Sequence, residues 1–513
     1  MSPLPKSKTL KQQIDANAAE HGDRIWLASP ETGRQVSFAD GAAQIRDIAQ
    51  HIANMGLPKG SSIAIASPNS ISACLTFMGI VYGGYVALPL NLVAGAKVLR
   101  YILAHSNAAL IFVQNDCQDM IKEAMQEAKS TAKTCPLDLN GGPQWPESNP
   151  AKSKPNAPIE SPKADSIGVL MYTSGTTGNP KGVMLSHHNL LAAGHFISTG
   201  HGITKQDRAL CVLPIYHING LCVTVMGTTV SASMLVLPHK FSVSSFWSHI
   251  AAYKCSWFSA VPTQFAYILN HPESTEDLSY LRFARSASAP LSPEIHRRFE
   301  KRFNIPIIET MGLTETGSQI TTNPMPPAIR KIGSPGTAFG NEIMIADDTL
   351  AAVPTGTIGE ILVRGANVMQ GYLNQPEETA KTISPDGWLR TGDLGYLDQD
   401  GYVFVSGRIK ELIIKGGENI APREIDEALL EHEAVLEAAA FAVPCENYGE
   451  RVEACIRLKE QMHASAPDLL AHCQTRLGKF KSPDTIHILE DLPKGPSGKV
   501  QRLKLFGLVY PTE

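Results

Sequence analysis

Along the first half of the chain, short apolar runs alternate with stretches whose apolar residues recur at helical spacing. Phe38, Ile45, Ile48 and Ile52 fall on one face of a helix within Val36–Met55, and the run SSIAIAS that follows reads as a strand. Ser70–Tyr82 is an apolar helix, GGYVALPLN a strand, Tyr101–Ala108 a helix and AALIFVQ a strand. SIGVLMYT is a further strand, and SHHNLLAAG opens a helix with Ser186 as N-cap. The alternation resumes with ALCVLPIYHINGL and SMLVLPH. A helix over Phe241–Tyr253, the strand SWFSAVP and a helix over Pro262–Asn270 follow, and LRFARSASAPLS ends in a loop. Such alternation predicts βα units around a largely parallel sheet.

From Ile343 the pattern changes to short strands with tight turns: NEIMIAD, GEILVRG and GYVFVSG. These predict a compact β subdomain. After Gly407 come ELIIKGGENI, a helix over Pro422–Glu431, strands AAAFAVP and VEACIRLK, and a helix near Leu469–Leu477. That tail reads as a small α+β unit. Pro143–Asp165, rich in Pro, Ser, Asn and Lys, reads as an exposed connector.

Composition narrows the class. A chain of 513 residues exceeds what one core normally organises, so more than one domain is expected. A net charge of −4, without a basic patch or an acidic tail, gives no reason to expect a nucleic-acid partner. Gly60–Ala96 and Ala209–His239 lack Lys, Arg, Asp and Glu, but Pro and Asn interrupt both. They read as buried core rather than membrane spans. The N-terminal stretch MSPLPKSKTLKQQ has lysines but no apolar core of a secretory signal. Nine cysteines without CxxC spacing suit reduced thiols in a cytoplasm.

The candidate chemistry centres on YTSGTTGNPKG, Tyr172–Gly182. Thr173, Ser174, Gly175, Thr176, Thr177 and Gly178 cannot pack a core. Their hydroxyls and close-approaching backbone N–H groups suit an anion, and Lys181 adds a charge. A strand before it and a helix after it are the expected context of a phosphate-binding loop. Lys181 lies between Pro180 and Gly182, so the loop is not of the Walker A type. The adjacent pair His187 and His188 reads as helix surface.

This string resembles the signature of the acyl-adenylate-forming enzymes: acyl- and aryl-CoA ligases, nonribosomal adenylation domains and luciferases. Five further stretches match that family in order, so the resemblance runs from about Ala42 to Lys504. It implies an α/β fold, with a large N-terminal domain of αβ sheets plus a β subdomain over 1–408. A small mobile α+β C-terminal domain is implied over 411–513, with a hinge near Lys410. In ETMGLTETG it implies that Thr314 bonds the α-phosphate and Glu315 holds Mg²⁺, with Gly312 beside the acyl pocket. Met311 stands where the family usually has a Tyr packed on adenine. Ser288, Ala289 and Pro290 are the implied adenine loop. Asp393 in TGDLG is the implied acceptor of the ribose hydroxyls, Arg408 an arginine near ribose and phosphates, and Lys499 in PSGK the catalytic lysine. His217 in PIYHING is implied at the wall between acyl pocket and pantetheine tunnel, and Gly416 and Gly417 in a loop that enters the site.

The resemblance implies an acid–thiol ligase using ATP, Mg²⁺, coenzyme A and a small-molecule carboxylic acid, working as a monomer or homodimer. A stand-alone adenylation enzyme loading a carrier protein and an inactive nucleotide-binding regulator are the rivals. Several stretches look nearest to oxalyl-CoA synthetases and 4-coumarate-type ligases. Ser318 and Asn219 replace histidines of the oxalyl pattern, so the acid stays open. Arg285 bears on it. Its guanidinium either pairs with a structural carboxylate or backbone carbonyls, or faces the pocket and grips a polar end of a short acid.

Overall fold

The computed structural model describes residues 4–145, 157–173, 179–272, 275–495 and 500–511. Two large sheets build most of the N-terminal domain. One has nine strands, in the order 337–338, 318–322, 307–313, 283–286, 257–260, 208–210, 234–236, 25–28 and 35–37. Its middle is parallel, with Arg285 opposite Ser259 on one side and Ile308 on the other. The other has eight strands, in the order 371–372, 181–186, 167–173, 86–89, 62–66, 110–114, 133–138 and 142–143. A single apolar cluster joins the two sheets. It takes Ile63, Met171 and Val183 from one, Trp257, Phe283 and Ile308 from the other, and Phe77 and Leu190 from intervening helices. The expected βα alternation therefore forms two sheets that share one core.

The predicted β subdomain is a four-stranded antiparallel sheet of Asn341–Ala346, Gly359–Gly365, Leu389–Leu397 and Val403–Arg408. The small C-terminal domain wraps helices Pro422–Leu430 and Ala466–Lys481 on a five-stranded sheet. Its core includes Ile413, Leu429, Ala454 and Leu469. All nine cysteines are free thiols. Among the described residues no helix is long and apolar enough to cross a membrane.

Two local readings are corrected, and one stretch left without an element gains one. The glycine-rich string does not run from strand to helix. Ile167–Thr173 pairs antiparallel with Lys181–Ser186, so the residues that flank the string belong to one antiparallel strand pair with Lys181 opposite Thr173. Val183 and Leu185 alternate into the core and make KGVMLS a strand before the helix begins. That helix, His187–Gly200, does start at Ser186: Asn189 N donates to Ser186 Oγ and Ser186 N to Asn189 Oδ1, a reciprocal cap.

Second, His187 is buried, not on the surface. The N-terminal helix Leu10–His21 packs over it, and Leu10 N donates to its Nδ1 at 3.1 Å. Burial lowers its pKa to about 4, so the ring is neutral, while His188 beside it is exposed. Third, the apolar run after His217 is helical, with a π-helix over Asn219–Met226 continuing into Gly227–Ser231. This π-helix of eight residues begins at Asn219, which lines a cavity described below.

Candidate active site

The C-terminal ends of the parallel strands, the strand pair that flanks the glycine-rich string and the β subdomain converge on two adjoining cavities. Strand Ile307–Leu313 turns through Thr314–Thr316 and returns antiparallel as Ser318–Thr322, which puts Thr314 and Glu315 half-buried at the turn. The register slips between Met311 and Gly312. A Cβ on Gly312 would lie 1.3 Å from Ser318 O, so only glycine fits there. Two non-glycine residues with positive φ, Ser288 (72°) and Ser318 (103°), also line the site. Such strain persists where the surroundings enforce it.

The smaller cavity, about 250 Å³, is a slot between Ser288, Ala289 and Pro290 on one side and Met311, Asp393 and Arg408 on the others. Asp393 and Arg408 face each other on paired strands, with Arg408 Nε 2.8 Å from Asp393 Oδ1. The Asp393 charge raises the Arg408 pKa, fixing the guanidinium as a cation. The turn before Asp393 is held from three sides. Thr391 Oγ1 donates to Ile361 O, Asp393 N donates to Thr391 Oγ1, and Gly392 N donates to Glu360 Oε1. Glu360 in turn pairs with Arg390.

The larger cavity, about 790 Å³, is lined by Thr173, Lys181, His217, Asn219, Arg285, Thr314, Glu315 and Lys410. Ser288, Gly312 and Arg408 border both cavities. Gly495 and Val500 also line the larger one. Ser174, Gly175, Thr176, Thr177, Gly178 and Lys499 lie outside the described residues. Gly416 and Gly417 line neither cavity. They form the turn between Ile413–Lys415 and Glu418–Ile420, where positive φ at both (60° and 84°) is what a two-residue hairpin demands.

A polar chain runs along the floor of the larger cavity. Arg285 Nη1 donates to Ser259 Oγ (3.1 Å), Ser259 Oγ to Asn219 Oδ1 (2.9 Å), and Asn219 Nδ2 to Ser288 Oγ (3.1 Å). Arg285 is 1% exposed, yet its Nε has no partner and its Nη2 is 3.5 Å from the neutral Gln319 Oε1. Among the described residues neither a carboxylate nor a backbone carbonyl pairs with it, so the structural pairing envisaged from sequence is not what the fold provides. Burial without a counter-charge pulls its pKa down to about 9. An uncompensated guanidinium facing a cavity is a site for an anion.

Enclosure drops the pKa of His217 to about 4. Its Nδ1 accepts from Asn219 N, which leaves the proton on Nε2 as a donor. A neutral donor, not a general base, is what this geometry offers. The pH–rate profile of His217→Gln should therefore keep the wild-type shape between about pH 6 and 8. An inflection near pH 6.5 that vanishes in the variant would overturn this.

Sequence reasoning missed Glu309, Tyr372, Ser259 and Gln319. Glu309 is 2% exposed and lines the smaller cavity, with Oε1 accepting from Leu291 N and Oε2 unpartnered. Burial raises its pKa. Its position two residues before Met311, in an otherwise apolar strand start, was the available signal. Tyr372 lies far along the chain and carried none.

A model described as AMP-binding enzyme matches residues 14–373, and one described as AMP-binding enzyme C-terminal domain matches residues 424–499. The chain belongs to the AMP-binding enzyme family. This AMP-binding enzyme is 44% identical over 500 residues to a sulfoacetate–CoA ligase of Cupriavidus necator, covering 97% of each chain. It is 34% identical over 460 residues to an oxalate–CoA ligase of Arabidopsis thaliana, covering 88% of this chain and 89% of the relative. Its fold superposes on ATP-bound MatB from Rhodopseudomonas palustris with a TM-score of 0.89 at 29% identity, covering 98% and 99% of the two chains.

Proposed function

We propose that this AMP-binding enzyme is an ATP-dependent acid–CoA ligase whose acid is short and carries a second anionic group. The substrate carboxylate attacks the α-phosphorus of ATP to give acyl-AMP and pyrophosphate, and the CoA thiol then displaces AMP. Forming the mixed anhydride first divides one difficult condensation into two easier ones.

In this reading the smaller cavity takes adenosine. Met311 covers the ring against Ser288, Ala289 and Pro290, Asp393 accepts from the ribose hydroxyls, and Arg408 holds that carboxylate in place. Ser174–Gly178, with Thr173 and Lys181, holds the phosphates, and Thr314 donates to the α-phosphate. Glu315 suits Mg²⁺. Its Oε1 accepts from the neutral Tyr372 hydroxyl at 2.9 Å, and among the described residues no lysine or arginine pairs with it. No three potential metal-ligating side chains cluster among the described residues, so a hard cation here shares its shell with phosphate oxygens and water. When bound, Mg²⁺ offsets the charge of the triphosphate. Lys410, in the turn Ile409–Glu411 between the β subdomain and the C-terminal sheet, serves as the hinge between 1–408 and 411–513.

Arg285 carries the choice of acid. A buried guanidinium with only neutral partners favours a ligand that brings its own negative charge, as a sulfonate or a distal carboxylate does. His217 Nε2–H and Asn219 add neutral donors beside it. The relatives named for sulfoacetate and oxalate support this chemistry. A panel assayed by CoA-dependent pyrophosphate release tests it: sulfoacetate, oxalate and malonate against acetate, propionate and long-chain fatty acids. An acid with two anionic groups should exceed its singly charged counterpart in kcat/KM by about 10²-fold, the scale of one desolvated charge pair. Equal rates for both classes, or a preference for long fatty acids, would overturn the reading.

A further inference from the structure

Glu315 is held by a residue from a distant part of the chain. Tyr372 ends the two-residue strand Gly371–Tyr372, which is pinned to the strand Lys181–Ser186 through Met184 and Val183. Its backbone N also donates to Thr379 Oγ1 in the helix Pro376–Thr382. The side chain is 6% exposed. Its Oη donates to Glu315 Oε1 at 2.9 Å, and Met369 N donates to the Glu315 carbonyl, so side chain and backbone of Glu315 are fixed by one segment. The ring also lies under Lys181, whose Nζ is 4.8 Å from its centroid and 2.7 Å from Glu378 Oε2.

We propose that Tyr372 is a positioning residue for the nucleotide-bound divalent cation. It occupies one oxygen of Glu315 and thereby aims the other at the metal, while its ring steadies the arm of Lys181 beside the same phosphates. The inference rests on the assignment of Mg²⁺ to Glu315 above. A carboxylate on a turn has free rotation about its side-chain bonds. One buried donor that fixes it shifts the carboxylate toward the orientation the cation needs, the role outer hydrogen bonds play around metal ligands generally. Glu378 completes the arrangement from the other side. Its carboxyl, drawn down to about 2 by the hydrogen bond from Lys181, remains anionic and holds the lysine until phosphate competes for it.

The test uses the full-length protein and two variants, Tyr372→Phe and Glu315→Gln. Two quantities are measured: the Mg²⁺ concentration at half-maximal pyrophosphate release, and Mn²⁺ affinity with saturating α,β-methylene-ATP, read by electron paramagnetic resonance. Tyr372→Phe keeps the ring over Lys181 and removes only the donor. It should raise the Mg²⁺ half-point and weaken Mn²⁺ binding by about tenfold or more, the usual cost of losing an outer-shell partner. Its melting temperature and its metal-free nucleotide affinity should stay near wild type. If Tyr372→Phe lowers kcat or melting temperature with both metal readouts unmoved, Tyr372 only packs the site and the proposal fails. If Glu315→Gln also leaves both metal readouts unmoved, the metal assignment itself is wrong and the proposal falls with it.

Discussion

Arg285→Met is expected to cut kcat/KM for a doubly anionic acid by about 10²–10³-fold while changing that for the equal-length monocarboxylate only a few-fold. The size follows from truncating one member of a desolvated, hydrogen-bonded charge pair, which costs about 2–5 kcal/mol and leaves the other charge stranded. The selectivity follows from location, because Arg285 lines the larger cavity and not the smaller one proposed for adenosine. Arg285→Lys should recover only part of the loss, since an ammonium keeps the charge but not the planar two-point grip. Stability should move the other way. In the ligand-free protein the guanidinium is buried without a counter-charge, so a Met of similar length should leave the melting temperature equal or higher. Added dianionic acid should raise the melting temperature of the wild type and not of the variant. Should the variant lose both acid classes equally, Arg285 acts by holding the Ser259–Asn219–Ser288 chain in place, and the anion assignment fails.

The same residue shows where sequence reading stops. That Arg285 ends a strand and enters a polar loop was legible from RFARSASAP. Which groups surround it was not, because Ser259 and Gln319 reach it only through the pairing of parallel strands and an antiparallel return. The sheets themselves were legible because period-two and helical runs alternate cleanly up to about Ser286. The strand Leu389–Leu397 was not, since LRTGDLGYL carries two glycines and two charges and is made a strand by partners on both sides. The helix from Asn219 escaped for the opposite reason. An unbroken apolar run rich in Val and Thr has no period to choose between helix and strand. His187 was misread because adjacency to an exposed His188 says nothing of what packs over the helix start. Glu309 and Tyr372 act on the site from within the fold, where a motif of spaced residues has no means to register them.

Lys499→Ala should lower acyl-adenylate formation by about 10²–10³-fold, the usual cost of removing one electrostatic stabiliser. The assignment comes from the PSGK string. Lys499 itself lies outside the described residues, and its described neighbours Gly495 and Val500 line the larger cavity. The physical need is plain. A substrate carboxylate must approach the α-phosphate against like charge, and one cation about 4 Å from each anion supplies up to about 4 kcal/mol of attraction per contact at an effective dielectric near 20. An ammonium on a flexible stem can bridge both groups. Thioester formation presents a different problem, because acyl-AMP already holds its mixed anhydride bond and the entering thiol is not a carboxylate. The two half-reactions should therefore separate. Given synthetic acyl-AMP and CoA, Lys499→Ala should form thioester within a few-fold of the wild-type rate, while its pyrophosphate release from ATP and acid collapses. If both half-reactions fall together, Lys499 is not specific to adenylation, and the C-terminal segment contributes to both steps from one arrangement.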